Sequence, residues 1–226
     1  MLRFLTAGES HGPELVAVIE GSPAGFDIDA AGLNNDLARR QKGYGRGGRM
    51  LIEKDEVRIV SGIRFGRTTG GPVTFIVANR DYKNWEKRMS ADPADRGEAK
   101  VVTRPRPGHA DLAGVLKYNL EDIRDVLERA SARETTARVA IGAFAKQLLA
   151  PFGVTVVGYV ASIGATEARS PGDIGIEELA RITEESPVRV ADAEAERAMI
   201  AEIDACKKTG DTLGGIAEVI ASGLPV

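Results

Sequence analysis

The sequence has a single cysteine, Cys206, and two histidines, His11 and His109. One cysteine excludes an internal disulfide and gives no sign of an oxidising compartment. With so few imidazoles, a Cys/His zinc site has no set of donors to be built from. Long apolar runs are also lacking, and none approaches the roughly 18 residues that suggest a membrane-spanning helix. The N-terminal stretch turns polar at Gly8-Glu9-Ser10-His11, before a signal-peptide core can form, so the cytoplasm is the expected location. A basic excess is missing as well. The formal charge is −3, whereas proteins that coat nucleic acid carry positive charge over a whole face. The chain has no Gly-Lys-Ser/Thr phosphate loop and no Gly-x-Gly-x-x-Gly that follows a strand and opens a helix. An anion site in this protein has to be built another way.

What the chain does have is a local concentration of positive charge. Arg39 to Arg49 carries five cations and four glycines with no acid. Glycine lets backbone turn tightly and approach a ligand closely, and arginine forks match the paired oxygens of carboxylate and phosphate. The stretch reads either as an anion clamp or as a solvated surface loop. Gly45-Arg46-Gly47-Gly48-Arg49 also resembles an RGG segment, but Tyr44 is the one aromatic in the loop, and single-strand binders need repeated stacking platforms. At 226 residues and 43% hydrophobic content, the chain is long enough for one large domain or two small ones with a real core.

Pattern along the chain predicts strands at Leu2 to Thr6 and Leu15 to Ile19, with Ser10 and His11 on the loop between them. Asp29 is placed to cap a helix through Leu33, Leu37 and Arg40. Met50 to Glu53 and Val57 to Ser61 read as a hairpin, Val73 to Ala78 as a strand, and Asn84 to Lys87 as the start of a short helix. Ser90 to Lys100 reads as a flexible loop. In Thr103 to Asp111 two prolines stiffen the segment that carries Arg106 and His109. One helix is expected from Asp111 to about Glu128. Ser131 and Glu134 have capping-box spacing, predicting a second helix that runs to Leu149. Its start, flanked by Arg129 and Arg133, is a candidate phosphate site. Small residues at Ala137, Ala140, Gly142, Ala143 and Ala145 suit a buried central helix. Val154 to Ile163 reads as a strand. Residues 166–208 are acid-rich, with helical patterns over Ile176 to Glu184 and Ala191 to Cys206, and read as a solvated helical excursion. Gly214 to Val226 reads as a strand.

Four stretches together, Gly8-Glu9-Ser10-His11-Gly12-Pro13, Arg39 to Arg49, Arg104-Pro105-Arg106-Pro107-Gly108-His109-Ala110-Asp111 and Arg129-Ala130-Ser131-Ala132-Arg133-Glu134-Thr135, closely resemble chorismate synthase. The resemblance runs over the whole chain and implies that residues 1–226 are the N-terminal portion of such a domain. It implies an α+β fold, a β-α-β sandwich in truncated form, and a homotetramer. It implies a carbon–oxygen lyase of the shikimate pathway that turns 5-enolpyruvylshikimate 3-phosphate into chorismate and phosphate by 1,4-elimination. The cofactor implied is reduced FMN, without net redox change.

By the same resemblance His11 is the acid near the leaving phosphate and His109 the group that protonates reduced flavin. Ser10, Arg40, Arg46, Arg49, Arg106 and Arg133 form the implied substrate set, and Arg129, Ala130 and Ser131 an implied flavin segment. Arg40 and Arg46 carry a second reading, contact with NADP(H) in members that reduce their own flavin. The family's further flavin contacts and a proton-removing aspartate have no counterpart here, so a catalytically incomplete fragment that binds an anion or supports assembly is the alternative.

Overall fold

The computed structural model describes residues 1–47 and 52–225. The chain forms two compact units, Met1–Arg40 with Gly48–Ala145, and Gln41–Gly47 with Lys146–Val226.

The first unit is built on a four-stranded antiparallel sheet of strands β1 (Arg3–Ala7), β2 (Glu14–Glu20), β3 (Arg58–Ser61) and β6 (Val73–Ala78), in the order β1-β2-β6-β3. Strict alternation decides which face is buried. Leu15, Ala17 and Ile19 of β2 lie opposite Val77, Phe75 and Val73 of β6, and all six are buried. Burying a side chain of this kind stabilises by about 1.5–3 kcal/mol for the larger ones. Strands β4 (Ile63–Arg64) and β5 (Arg67–Thr68) form a small separate hairpin.

Helix α1 (Ala30–Gln41) starts as its sequence predicts, because Asp29 accepts hydrogen bonds from the backbone N–H groups of Ala31 and Gly32, both at 2.9 Å. Its Leu33 and Leu37 are fully buried. Helix α4 (Thr135–Leu149) buries Ala137, Ala140, Ile141, Ala143 and Phe144, and the Phe144 ring meets Phe75 edge-on at 5.9 Å.

Four expectations for this unit fail for identifiable reasons. The helix expected over 111–128 is two, α2 (Asp111–Tyr118) and α3 (Arg124–Ala130). Asn119 takes the left-handed conformation (φ 53°) and ends the first, a role asparagine fills more readily than other non-glycine residues. The hairpin over 50–61 is absent over its described part. Only Arg58–Ser61 is a strand, and it pairs with β6, while Glu53 and Asp55 turn inward as buried anions; Met50 and Leu51 lie outside the described residues. The helical turn expected from Asn84 is instead a 3₁₀ turn over Arg80–Asn84. The capping box does not close either. Ser131 Oγ accepts from the Arg133 N–H at 3.2 Å, but Glu134 turns away to Thr6 and Arg138.

The second unit has a three-stranded antiparallel sheet in the order β8-β7-β9, from β7 (Thr155–Ile163), β8 (Thr166–Glu167) and β9 (Gly215–Ser222). Helices α5 (Ile176–Glu185) and α6 (Ala193–Thr209) are its core partners. Leu179 of α5 packs with Val157 and Tyr159. Met199 and Ala195 of α6 pack with Val188 and Val190, against Val160 and Ile163 of β7. The acid-rich segment thus wets one side of each helix while the other side makes the core. Among the described residues no helix is long and apolar enough to cross a membrane.

Candidate functional site

The site-forming residues of the first unit fall into three joined clusters. The first is organised by the loop between β1 and β2. Gly8 has φ 88°, and a Cβ there would lie 2.2 Å from the Glu14 carbonyl oxygen, so only glycine permits this turn. The loop is then tied down from outside. Ser10 N–H donates to the Glu128 carbonyl (3.0 Å) and its hydroxyl to Ser131 Oγ (3.0 Å). Asn79 Nδ2 donates to the carbonyls of Glu9 (3.0 Å) and Gly12 (2.7 Å). Arg129 reaches back from the end of α3 to the Gly8 and Thr6 carbonyls.

His11 is fixed on three sides. Its N–H donates to Glu128 Oε2 at 2.7 Å, its Nδ1 lies 3.0 Å from both Glu128 oxygens, and the Trp85 ring covers it at 4.1 Å between centroids. Arg124 bonds the same carboxylate at 3.1 Å and lies over Trp85. Burial pushes the Glu128 carboxyl up, but the hydrogen bonds from the His11 ring and backbone, with Arg124, outweigh it and leave the carboxyl below the ordinary glutamate value. Glu128 is therefore an anion at neutral pH.

The second cluster is a buried ion network. Arg133 is 3% exposed. Its Nε donates to Asn79 Oδ1 (2.7 Å), Nη1 to Asp55, and Nη2 to the Ala78 carbonyl (3.2 Å), with Glu53 3.6 Å away. Arg40 shares Asp55 at 3.2 Å and also donates to Thr135 Oγ1 and the Ala132 carbonyl. Asn79 links this network to the histidine loop, since its oxygen serves Arg133 and its nitrogen the loop carbonyls.

The third cluster surrounds Asp111 at the start of α2. The carboxylate is fully buried and accepts from the Arg106 N–H (2.8 Å), Nε (3.0 Å) and Nη2 (3.1 Å), while His109 Nδ1 is 2.8 Å away. The Arg106 guanidinium holds this carboxyl down at about 2 against the opposing effect of burial. Gly114 brings this helix against the first cluster, because a Cβ there would stand 2.4 Å from Val126 Cγ1 of α3.

Of the residues expected from sequence, Ser10, His11, Arg129 and Ser131 thus converge directly, with Ala130 between the last two. Arg40 and Arg133 meet through Asp55, and Arg106 and His109 through Asp111. Arg46 is exposed and belongs to the second unit. There the Tyr44 N–H donates to the Pro187 carbonyl (2.8 Å), and its hydroxyl donates to Asp204 (2.8 Å) under Lys207, so the described part of the basic loop is anchored. Arg49 lies outside the described residues. Sequence reading missed Glu128, Asp111, Asn79, Asp55 and Trp85, because a single acid or amide carries no signal until folding gives it a partner.

A family model described as chorismate synthase matches residues 2–226. The chain belongs to the chorismate synthase family. A chorismate synthase of Symbiobacterium thermophilum is 57% identical over 229 residues, covering 99% of this chain and 59% of that protein. One of Enterococcus faecalis is 56% identical over 226 residues, covering 99% and 58%. A solved crystal structure of chorismate synthase aligns with TM-score 0.77 at 38% identity, over 99% of this chain and 58% of the other. The fold is accordingly the α+β fold of chorismate synthases, and the chain spans about three-fifths of the length of these relatives.

Proposed function

We propose that this chain contributes the histidine and arginine framework of a chorismate synthase, a carbon–oxygen lyase that converts 5-enolpyruvylshikimate 3-phosphate to chorismate and phosphate by 1,4-elimination. The observation that carries this reading is the joining of the first and fourth motifs, Ser10 to Ser131 at 3.0 Å, with His11 3.0 Å from Glu128, the residue just before the fourth motif. In this reading His11 donates a proton from Nε2 to the leaving phosphate, where charge develops in the transition state. Arg106 would bind a carboxylate or the phosphate of the substrate, with Arg46 and Arg49 proposed for the same set, while Ser10 and Arg40, whose donors go to Ser131 and to Thr135, Asp55 and the Ala132 carbonyl, would support the site from behind. Arg133, whose donors are taken by Asn79, Asp55 and the Ala78 carbonyl, supports the anion site from behind.

A mostly apolar cleft of about 430 Å³ beside Arg129 and Ala130, lined also by Ala113, Gly114, Tyr118 and Val126, suits a planar ring system such as flavin. Arg129 and Ala130 of its lining would hold FMN there, with Ser131 and His109, each the chain neighbour of a lining residue, proposed as a further flavin contact and as the proton partner. Reduced FMN, when bound, supplies reducing equivalents that the overall reaction returns. NADPH as reductant at Arg40 and Arg46, a cytoplasmic location and a homotetramer belong to the same proposal.

The test is anaerobic phosphate release from the enolpyruvyl substrate with reduced FMN, comparing this chain with one extended to the length of its relatives. Release from the extended protein is expected, and its absence sinks the assignment. Replacing His11 or His109 by alanine should cut kcat by about 10²–10⁴-fold with a much smaller change in KM; unchanged turnover would remove their roles. Because the chain spans 58–59% of its relatives' length, a second reading is a segment that binds the anion without turnover. Calorimetric substrate binding by the 226-residue chain, without phosphate release, would favour it.

A further inference from the structure

Both histidines of the chain turn Nδ1 toward a buried carboxylate. Glu128 is 2% exposed and lies 3.0 Å from His11 Nδ1, and Asp111 is 0% exposed and lies 2.8 Å from His109 Nδ1. We infer that Glu128 and Asp111 are positioning residues that fix His11 and His109 in the Nδ1–H tautomer, leaving Nε2 of each as the nitrogen offered to ligand.

An ionised carboxylate can only accept, so the proton between it and an imidazole nitrogen belongs to the nitrogen. Both carboxylates are held in place by further donors. Glu128 also accepts from the His11 N–H and Arg124, and Asp111 from three nitrogens of Arg106. This settles an ambiguity at His109, where Arg106 Nη2 lies 3.0 Å from Nδ1. With Nδ1 protonated, that contact is two donors sharing the Asp111 oxygen, and the guanidinium does not donate to the ring. At His11 the ring is held further by Trp85, on which Arg88 and Arg124 lie at 5.6 and 5.1 Å. The consequence for chemistry rests on the proposed lyase activity. Only the doubly protonated ring has a proton on Nε2 to give, and giving it to the leaving phosphate leaves the Nδ1–H tautomer that Glu128 already stabilises, so no proton has to cross the ring. A protonated histidine at 109 would do the same toward its own partner.

The tautomers can be read without any activity. With only two histidines, ¹⁵N-histidine NMR of the 226-residue chain gives two ring systems, assigned by a His109→Gln variant. For the neutral rings, Nε2 should appear as the unprotonated nitrogen in both, with the Nδ1–H form in excess by about tenfold, as a hydrogen bond to a charged acceptor implies. An Nε2–H form, or an even mixture, in the unaltered protein overturns the assignment whatever the enzyme does. Glu128→Gln offers a donor and an acceptor at the same distances, so the His11 signals should move toward a mixture while those of His109 stay. In the extended, active protein Glu128→Gln should lower kcat by about 10²-fold or more with KM within about twofold. Unchanged kcat with a shifted tautomer overturns the positioning role. A chain that releases no phosphate at all removes the lyase reading and leaves the tautomer result standing.

Discussion

The two units bury different things. The second fills its interior with Val157, Tyr159, Leu179, Val188, Val190, Ala195 and Met199, and its buried polar residues among those described are Ser162, Thr183 and Ser186. The first buries Glu53, Asp55, Asp111, Glu128, Arg133 and Glu134 beside its apolar sheet face. A buried charge costs several kcal/mol unless it is paired and hydrogen-bonded. Each of these six, counted among the described residues, has an ionic partner. The unit with the buried charges is also the one that holds both histidines, as expected if the carboxylates and Arg133 serve to aim groups.

The hardest way to break this contrast is to remove one side of the ion network. Arg133→Met should destabilise by about 3–5 kcal/mol, because it strips a counter-charge from the buried carboxylates of Asp55 and Glu53. Urea unfolding followed by tryptophan fluorescence at Trp85 would measure it, and a loss under about 1 kcal/mol would show that the network is not structural. Met199→Ala in the second unit should cost about 2–5 kcal/mol by cavity formation, yet Met199→Leu should cost less than about 1.5 kcal/mol. An apolar core forgives a change of shape that keeps volume. The ion network has no equivalent forgiving substitution, since methionine at 133 fills the space and still fails.

Acid should act on both units, and more gently. Asp111 has a folded pKa of about 2, held there by Arg106, against an ordinary value of 3.8. A carboxyl with a depressed folded pKa contributes stability above its unfolded pKa and loses it as pH falls through the folded one. Glu128 and Glu134 are also lowered, through His11 and through Thr6 and Arg138. The first unit should therefore lose stability between about pH 4.5 and pH 2. The second unit has lowered carboxyls as well, Asp192 held at about 2 by Arg169, Glu178 lowered by Arg181 and Glu202 by the Ala165 N–H and the Thr166 hydroxyl, so it should lose stability over the same range. Asp111→Asn should flatten the acid limb of stability read by urea unfolding at Trp85; an unchanged limb would contradict the linkage.

Much of the fold was legible because period and punctuation agreed. Alternation in β2 and β6, the Asp29 cap and the small-residue helix at 135–149 all followed local rules. The failures came where a tertiary partner outbid a local one. Glu134 had the spacing to close a capping box, but Thr6 and Arg138 claimed it. The single helix expected over 111–128 breaks at Asn119, and Leu112 and Leu116 of α2 are 57% and 73% exposed while Ile123 and Val126 are buried. The candidate site was legible in its arginines, serines and histidines, where glycine- and proline-rich settings gave them away. Its supporting acids were not, because Glu128 in a helix and Asp111 at a helix start each have an ordinary local explanation. Only the long-range contacts, 117 residues apart for His11 and Glu128, give those acids a purpose.

The smallest expected effect isolates burial as the cause. Arg58 on strand β3 pairs with Glu14 at 3.1 Å, with the two side chains 62% and 38% exposed. This is the same pairing of guanidinium with carboxylate as Arg133 with Asp55, in the same unit, but exposed. In water the Coulomb gain is small, the long side chain loses freedom, and salt screens what remains. Arg58→Ala should cost about 0.2–1 kcal/mol, and the difference from the unaltered protein should shrink further in about 1 M salt. Urea unfolding at low and high salt reads both. If Arg58→Ala proved as damaging as Arg133→Met, pairing alone, exposed or buried, would govern stability in this unit.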